Sequence, residues 1–190
     1  MLCRRTPIKS SRMEKGYIHI YTGDGKGKTT AAFGLTLRAV CAGKNVFVGQ
    51  FVKSMEYNEN RLSQLLDGAD ESFGHLTIEL LGRGCFITRK PQEEDVRMAN
   101  EAWDRCASLM KGNDYDVVVL DELCVALYFR LIEVDRVTEA LKQRNPAIEI
   151  VITGRKAPQQ LIDLADLVTD MQEVKHYYQQ GVLSRNGIDH

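Results

Sequence analysis

No run of apolar residues approaches the ~20 that a helix needs to cross a bilayer. The basic N-terminal stretch MLCRRTPIKSSRMEK lacks the apolar core of a secretory signal. The expectation is a chain with no membrane partner. No CxxC pair occurs either. The five cysteines stand at 3, 41, 85, 106 and 124, an odd count with no histidine at ligand spacing. Disulfide frameworks and zinc sites are poor readings of that pattern, and thiols in a reducing cytoplasm suit it better. Charge of one sign is missing too: 25 Lys+Arg face 26 Asp+Glu, for a net charge of −1. That excludes a broad basic surface and disfavours general nucleic-acid binding, while leaving room for a local basic pocket. There is no internal repeat, low-complexity tract or domain linker.

What is present is 190 residues of ordinary globular composition, 44% hydrophobic and 27% charged. That suffices for one domain with a full core. Residues 1–15 read as an N-terminal extension, with Met13 as an alternative start, and 16–190 as a single domain. Strand and helix signals alternate. Strands are expected at 17–21, 46–52, 76–81, 116–121 and 148–153, with an edge strand at 167–169. Helices are expected at 28–42, 58–67, 92–111, 122–143 with a break near Leu131, and 158–165. In the second helix Leu62, Leu65 and Leu66 share one side. In the third, Val96, Ala99, Trp103, Cys106 and Met110 recur at spacings of three and four, which predicts one buried face. The alternation predicts an α/β fold with a mostly parallel, doubly wound sheet and helices on both faces. Ligands bind such sheets at the carboxyl ends of the strands.

The strongest motif is Thr22-Gly23-Asp24-Gly25-Lys26-Gly27-Lys28-Thr29-Thr30. It follows a strand and opens a helix, as a phosphate-binding loop must. Glycines let several N–H groups converge on one anion, and the helix start adds unpaired N–H groups and a positive dipole end. Lys28 is placed to reach phosphate and the Thr29 hydroxyl to ligate Mg²⁺. Thr22 departs from the usual pattern, which has glycine there. The second motif, Val117-Val118-Val119-Leu120-Asp121-Glu122, is an apolar strand ending in two carboxylates. One of them would orient the Mg²⁺ or its waters. Together the motifs predict Mg-nucleotide binding. They do not say which bond breaks. His19, His75, His176 and His190 are scattered, with structural or solvated roles expected, and the cysteines read as small core residues.

Further stretches follow in order: Arg38-Ala39-Val40, Gly43-Lys44, Gln50-Phe51-Val52-Lys53, Ile152-Thr153-Gly154-Arg155, Asp163-Leu164-Ala165-Asp166, Val174-Lys175-His176, Gly181-Val182 and Gly187-Ile188-Asp189. With the two motifs they resemble the phosphate-loop ATP:corrinoid adenosyltransferases from about residue 16 onward. Thr22 is normal for that family. The resemblance implies a parallel α/β fold of the phosphate-loop nucleotide hydrolase type and a homodimer. It also implies transfer of the 5′-deoxyadenosyl group of ATP to corrinoid cobalt, with triphosphate as by-product. It implies that Gly23, Asp24, Gly25, Lys26, Gly27, Lys28, Thr29 and Thr30 bind triphosphate, with Lys28 and Glu122 serving catalysis. Thr29 and Glu122 would hold Mg²⁺ (or Mn²⁺), with Asp121 behind them. Arg38 and Arg155 match arginines able to reach phosphate; the alternatives are a solvated helix residue and a cap on the preceding turn. A reduced flavoprotein is the implied electron donor.

In the same family the loop matching 82–91 carries two aromatics that crowd the lower corrin face. Here Cys85, Phe86 and Ile87 stand in that run, either as an apolar wedge against the corrinoid or packed on the core. Two other functions stay open on the residues alone: a Mg-ATP phosphotransferase or ATPase, and a nucleotide-switched binding module.

Overall fold

The computed structural model describes residues 13–53, 57–82 and 90–189. Six strands form one sheet: β1 (Ile18–Thr22), β2 (Val46–Gln50), β3 (Leu76–Leu80), β4 (Val117–Asp121), β5 (Glu149–Thr153) and β6 (Leu167–Asp170). Their order is β3-β2-β4-β5-β1-β6, and every pairing is parallel. Parallel strands need crossovers, and here helices supply most of them. They are α1 (Lys28–Cys41), α2 (Leu62–Leu66), α3 (Glu93–Lys111), α4 (Leu123–Tyr128), α5 (Val134–Lys142) and α6 (Gln159–Leu164).

The side-chain period of two divides the core. Phe47, Val118, Leu120, Ile150 and Ile152 point to the face covered by α3 to α6. Val46, Val48, Val117, Val119 and Val151 point to the opposite face, where Ala32, Phe33 and Val40 of α1 meet them. Both faces are therefore covered, as the near-continuous apolar runs of β2 and β4 require. β6 is different: all four of its residues are exposed.

Two expected faces need correction. Ala99, Trp103, Cys106 and Met110 of α3 are buried, but Val96 is 38% exposed. It lies in the first turn of α3, before the helix settles onto the core. Residues 58–67 form a 3-10 turn (Asn58–Arg61) running into the short α2, and Leu65 is 80% exposed. Only Leu62 and Leu66, four apart and so stacked on one face, pack against the sheet.

Because all strands run one way, their carboxyl ends gather at one rim. That rim brings together the loop after β1, the segment after β2, Asp121-Glu122 at the end of β4, Gly154-Arg155 after β5 and Met171 after β6. Gly154 is required there: its φ is +133°, and a Cβ would come within 2.9 Å of the Cys124 Cβ. Trp103, 1% exposed, is among the largest fully buried side chains on the α3 face. Trp103→Ala should cost about 3–5 kcal/mol, readable as a lowered denaturant midpoint with an unchanged slope.

Candidate functional site

At this rim lies a cleft of about 630 Å³, floored by residues 25–30 and bounded by Lys53, Glu122, Arg155 and the segment 176–189. The glycine-rich loop leaves β1 through Gly23, whose φ is +94°. A Cβ at Gly23 would meet Asp170 Oδ1 at 2.2 Å, so glycine alone lets the end of β6 lie beside the loop. The Gly25 N–H donates to Met171 O at 2.7 Å and fixes that contact. The first N–H groups of a helix have no carbonyl partner within it. In α1 they belong to residues on the cleft floor, with no side-chain cap and no acidic residue in the first turn. This is an anion-binding arrangement.

Lys28 is buried. Its Nζ donates to Gly23 O at 2.8 Å and Gly25 O at 2.6 Å, which holds the loop in a curl around the ammonium. Burial and the nearby Arg155 charge lower its pKa, while Glu122, Asp24 and Asp170 work the other way.

The Asp121 carboxylate is fully buried and accepts four contacts. Oδ1 takes the hydroxyls of Thr29 at 2.9 Å and Thr153 at 2.7 Å. Oδ2 takes Gln50 Nε2 at 3.0 Å and pairs with Lys53 Nζ at 3.0 Å. Lys53 also reaches Glu59 at 3.2 Å and lies 4.6 Å from the centroid of the Tyr57 ring. Burial alone would depress the Lys53 pKa; the carboxylates of Asp121 and Glu59 outweigh it and raise the value. Asn60 Nδ2 donates to Gln50 Oε1 at 2.6 Å and extends the network to the turn after β2.

Glu122 follows in the left-handed region, φ 60° and ψ 20°, a conformation uncommon for a residue with a side chain. Its N–H donates to Thr153 Oγ1 at 2.9 Å. The kink takes the chain out of β4 into α4 and leaves Glu122 lining the cleft. Burial first, then the Asp121 charge, raise its pKa; Lys53, Lys28 and Arg155 oppose that.

The structure thus brings Gly25, Lys26, Gly27, Lys28, Thr29, Thr30, Glu122 and Arg155 to one cleft, with Asp121 directly behind Thr29. Gly23 serves as an acceptor for Lys28, and Asp24 pairs with Lys156 at 3.5 Å; neither lines the cleft. Arg38 does not reach it. It is an exposed residue in the last turn of α1, because a helix starting at the loop carries its eleventh residue towards the other end of the sheet. Cys85, Phe86 and Ile87 lie outside the described residues. Cys106 and Cys124 are buried, and burial pushes both thiols up to about 12. Motif reasoning assigned no role to Lys53, Tyr57, Glu59 or Tyr177. Their signal was position alone: Lys53 lies just beyond β2, the neighbour of the strand that carries Asp121.

The model of the family ATP:corrinoid adenosyltransferase BtuR/CobO/CobP matches residues 14–190. The chain belongs to this family. It is similar to a corrinoid adenosyltransferase of Sinorhizobium sp., at 36% identity over 93% of this chain and 81% of that one. It is also similar to one from Escherichia coli K12, at 33% identity over 96% and 90%. A third, from Salmonella typhimurium LT2, is 34% identical over 183 residues.

Two outcomes follow from the electrostatics. Asp121→Ala leaves Lys53 buried beside a vacancy and should cost about 3–5 kcal/mol, measured by chemical denaturation. Glu122 has a folded pKa above its ordinary value of 4.5. Its contribution to stability is therefore fully present below about pH 4.5 and is lost as pH rises through the folded value. Glu122→Gln should make the ligand-free protein more stable at pH 7, with the advantage vanishing near pH 4.5; a gain independent of pH would contradict the burial argument.

Proposed function

We propose that the chain transfers the 5′-deoxyadenosyl group of ATP to the cobalt of a reduced corrinoid and releases triphosphate. Membership of the adenosyltransferase family over nearly the whole chain supports this. The observation in the site that carries it is a cleft built to hold charge rather than to move protons. Its floor of helix-start N–H groups suits an anion, and Lys28 and Arg155 supply positive charge. Its one imidazole among the described residues, His176, has Nδ1 committed to the Tyr178 N–H at 3.1 Å.

Co(I) brings its own electron pair and has no proton to remove, so the substrate supplies the difficult chemistry. That pair forms the Co–C5′ bond, and the C5′–O5′ bond breaks. The bonding electrons leave on the triphosphate oxygen, and cobalt ends formally as Co(III). Negative charge grows on the leaving oxygen. Residues 25–30 are placed to meet it with N–H groups, and Lys28 to meet it with an ammonium.

The donor set suits a hard divalent cation, Mg²⁺ or Mn²⁺. The Thr29 hydroxyl donates its hydrogen bond to Asp121, which leaves its oxygen lone pairs available to a cation. Glu122 offers a carboxylate that accepts no hydrogen bond from the described residues. Two protein oxygens plus phosphate are what Mg²⁺ commonly takes. When bound, the cation would neutralise charge on the triphosphate. Asp121, with its four partners, would hold Thr29 in place rather than touch the ion.

Cys85, Phe86 and Ile87 are assigned to the corrinoid, as an apolar wedge against its lower face. A homodimer, a reduced flavoprotein donor and a cytoplasmic setting complete the proposal.

The test is anaerobic. Protein, Mg-ATP and chemically reduced cob(I)alamin are mixed, the corrinoid spectrum is followed, and the phosphate product is identified. Adenosylcobalamin with equimolar triphosphate is expected; ADP or orthophosphate with unchanged corrinoid would overturn the proposal. Lys28→Ala should lower kcat about 10²–10³-fold, the usual loss for one donor to a developing anion, with the far-UV circular dichroism unchanged.

A further inference from the structure

Lys26 lies in the phosphate loop, yet its ammonium is committed elsewhere. Nζ donates to Ile188 O at 2.8 Å and pairs with Asp189 Oδ1 at 3.3 Å. The Asp189 side chain is only 13% exposed. It accepts from the Tyr177 hydroxyl, from the Arg185 N–H at 3.0 Å and from Arg185 Nε at 3.2 Å. The Arg185 guanidinium in turn lies 4.6 Å from the Tyr177 ring centroid. These contacts fold 177–189 into a strap with a carboxylate set in it. Among the described residues, Lys26 is the partner of Asp189 from outside the strap. At the far rim, Asn58 Nδ2 donates to Asn186 Oδ1 at 2.5 Å. The strap is therefore tied to the phosphate loop on one side and to the turn after β2 on the other. Tyr177, Tyr178, Val182 and Gly187 line the cleft between the two ties.

We propose that Asp189 is a positioning residue for ATP: through Lys26 it sets the strap against the phosphate loop, so that the cleft is shaped before the nucleotide arrives. The proposal deepens the adenosyltransferase reading and rests on it for the nucleotide's identity. Preorganisation reduces the ordering cost of binding, so its loss shows in affinity more than in chemistry. The pair is partly solvated, which keeps the effect modest.

The experiment measures ATP affinity by calorimetry for full-length Lys26→Met, Asp189→Asn and the double variant, together with KM and kcat for adenosylation of cob(I)alamin. Each single variant should bind ATP about three- to tenfold more weakly, the scale of one partly exposed charge pair. KM for ATP should rise by the same factor, and kcat should change less. The double variant should be no weaker than the worse single one, because both remove the same link. Additive losses would overturn the proposal, since Lys26 would then act on phosphate independently. Unchanged or tighter binding in Asp189→Asn would also overturn it. Asp189→Asn can loosen the strap itself. Lys26→Met leaves the Tyr177 and Arg185 contacts intact, so unchanged ATP affinity in that variant sinks the proposal on its own. Wild-type protein that binds ATP without alkylating cob(I)alamin would refute the transferase reading, while the affinity cycle would still decide the role of Asp189.

Discussion

A carboxylate removed from water must be neutralised and hydrogen-bonded, or it unfolds what surrounds it. Asp121 is such a group, and its four partners come from four parts of the chain. Thr29 belongs to the start of α1, Thr153 to the end of β5, Gln50 to the end of β2 and Lys53 to the segment beyond it. One side chain therefore fixes the relative positions of the phosphate loop and two neighbouring strand ends. The register of the sheet makes this possible, since Gln50 stands opposite Asp121 in the β2–β4 ladder. A shift of one residue in that ladder would turn Gln50 to the other face and leave Oδ2 with Lys53 alone.

The neighbouring acid has the opposite design. Glu122 is half-buried, in a strained backbone conformation, and no described residue neutralises its carboxylate by direct contact. Asp121 stabilises the fold, whereas Glu122 weakens it at neutral pH in exchange for an oxygen ligand at the cleft. Two adjacent acids at one strand end thus serve different ends, and burial and partners separate them where sequence spacing cannot.

That difference marks where the sequence stopped being legible. Parallel topology followed from the alternation of apolar runs and helical periods, and the loop from its glycines and its place between β1 and α1. Thr29, Lys28 and Glu122 were named from local motifs because each lies within a residue or two of a strand or helix end. Thr153, Lys53 and Asp189 act through partners 31, 32, 68 and 163 positions away, distances that only the folded chain closes. Arg38 failed for a geometric reason: ten residues of helix carry it about 15 Å from the loop. Val96 and Leu65 failed because the helical period continues in sequence beyond the turns that touch the core.

Lys26 and Lys28 are two residues apart in one loop and have opposite surroundings. Lys28 is buried within the curl, bonded to two carbonyls of the loop itself. Those carbonyls are neutral, so an entering polyphosphate offers the ammonium a stronger partner without requiring any other element to move. Lys26 is exposed and bonded to a carboxylate outside the loop. To reach phosphate it would have to leave a charged acceptor that three other donors keep in place. The same residue type, in the same anion-binding loop, is thus set up to change partners at one position and to keep its partner at the other. The loop alone accounts for the first behaviour. The second depends on the strap, which brings a carboxylate to a loop otherwise organised to receive negative charge.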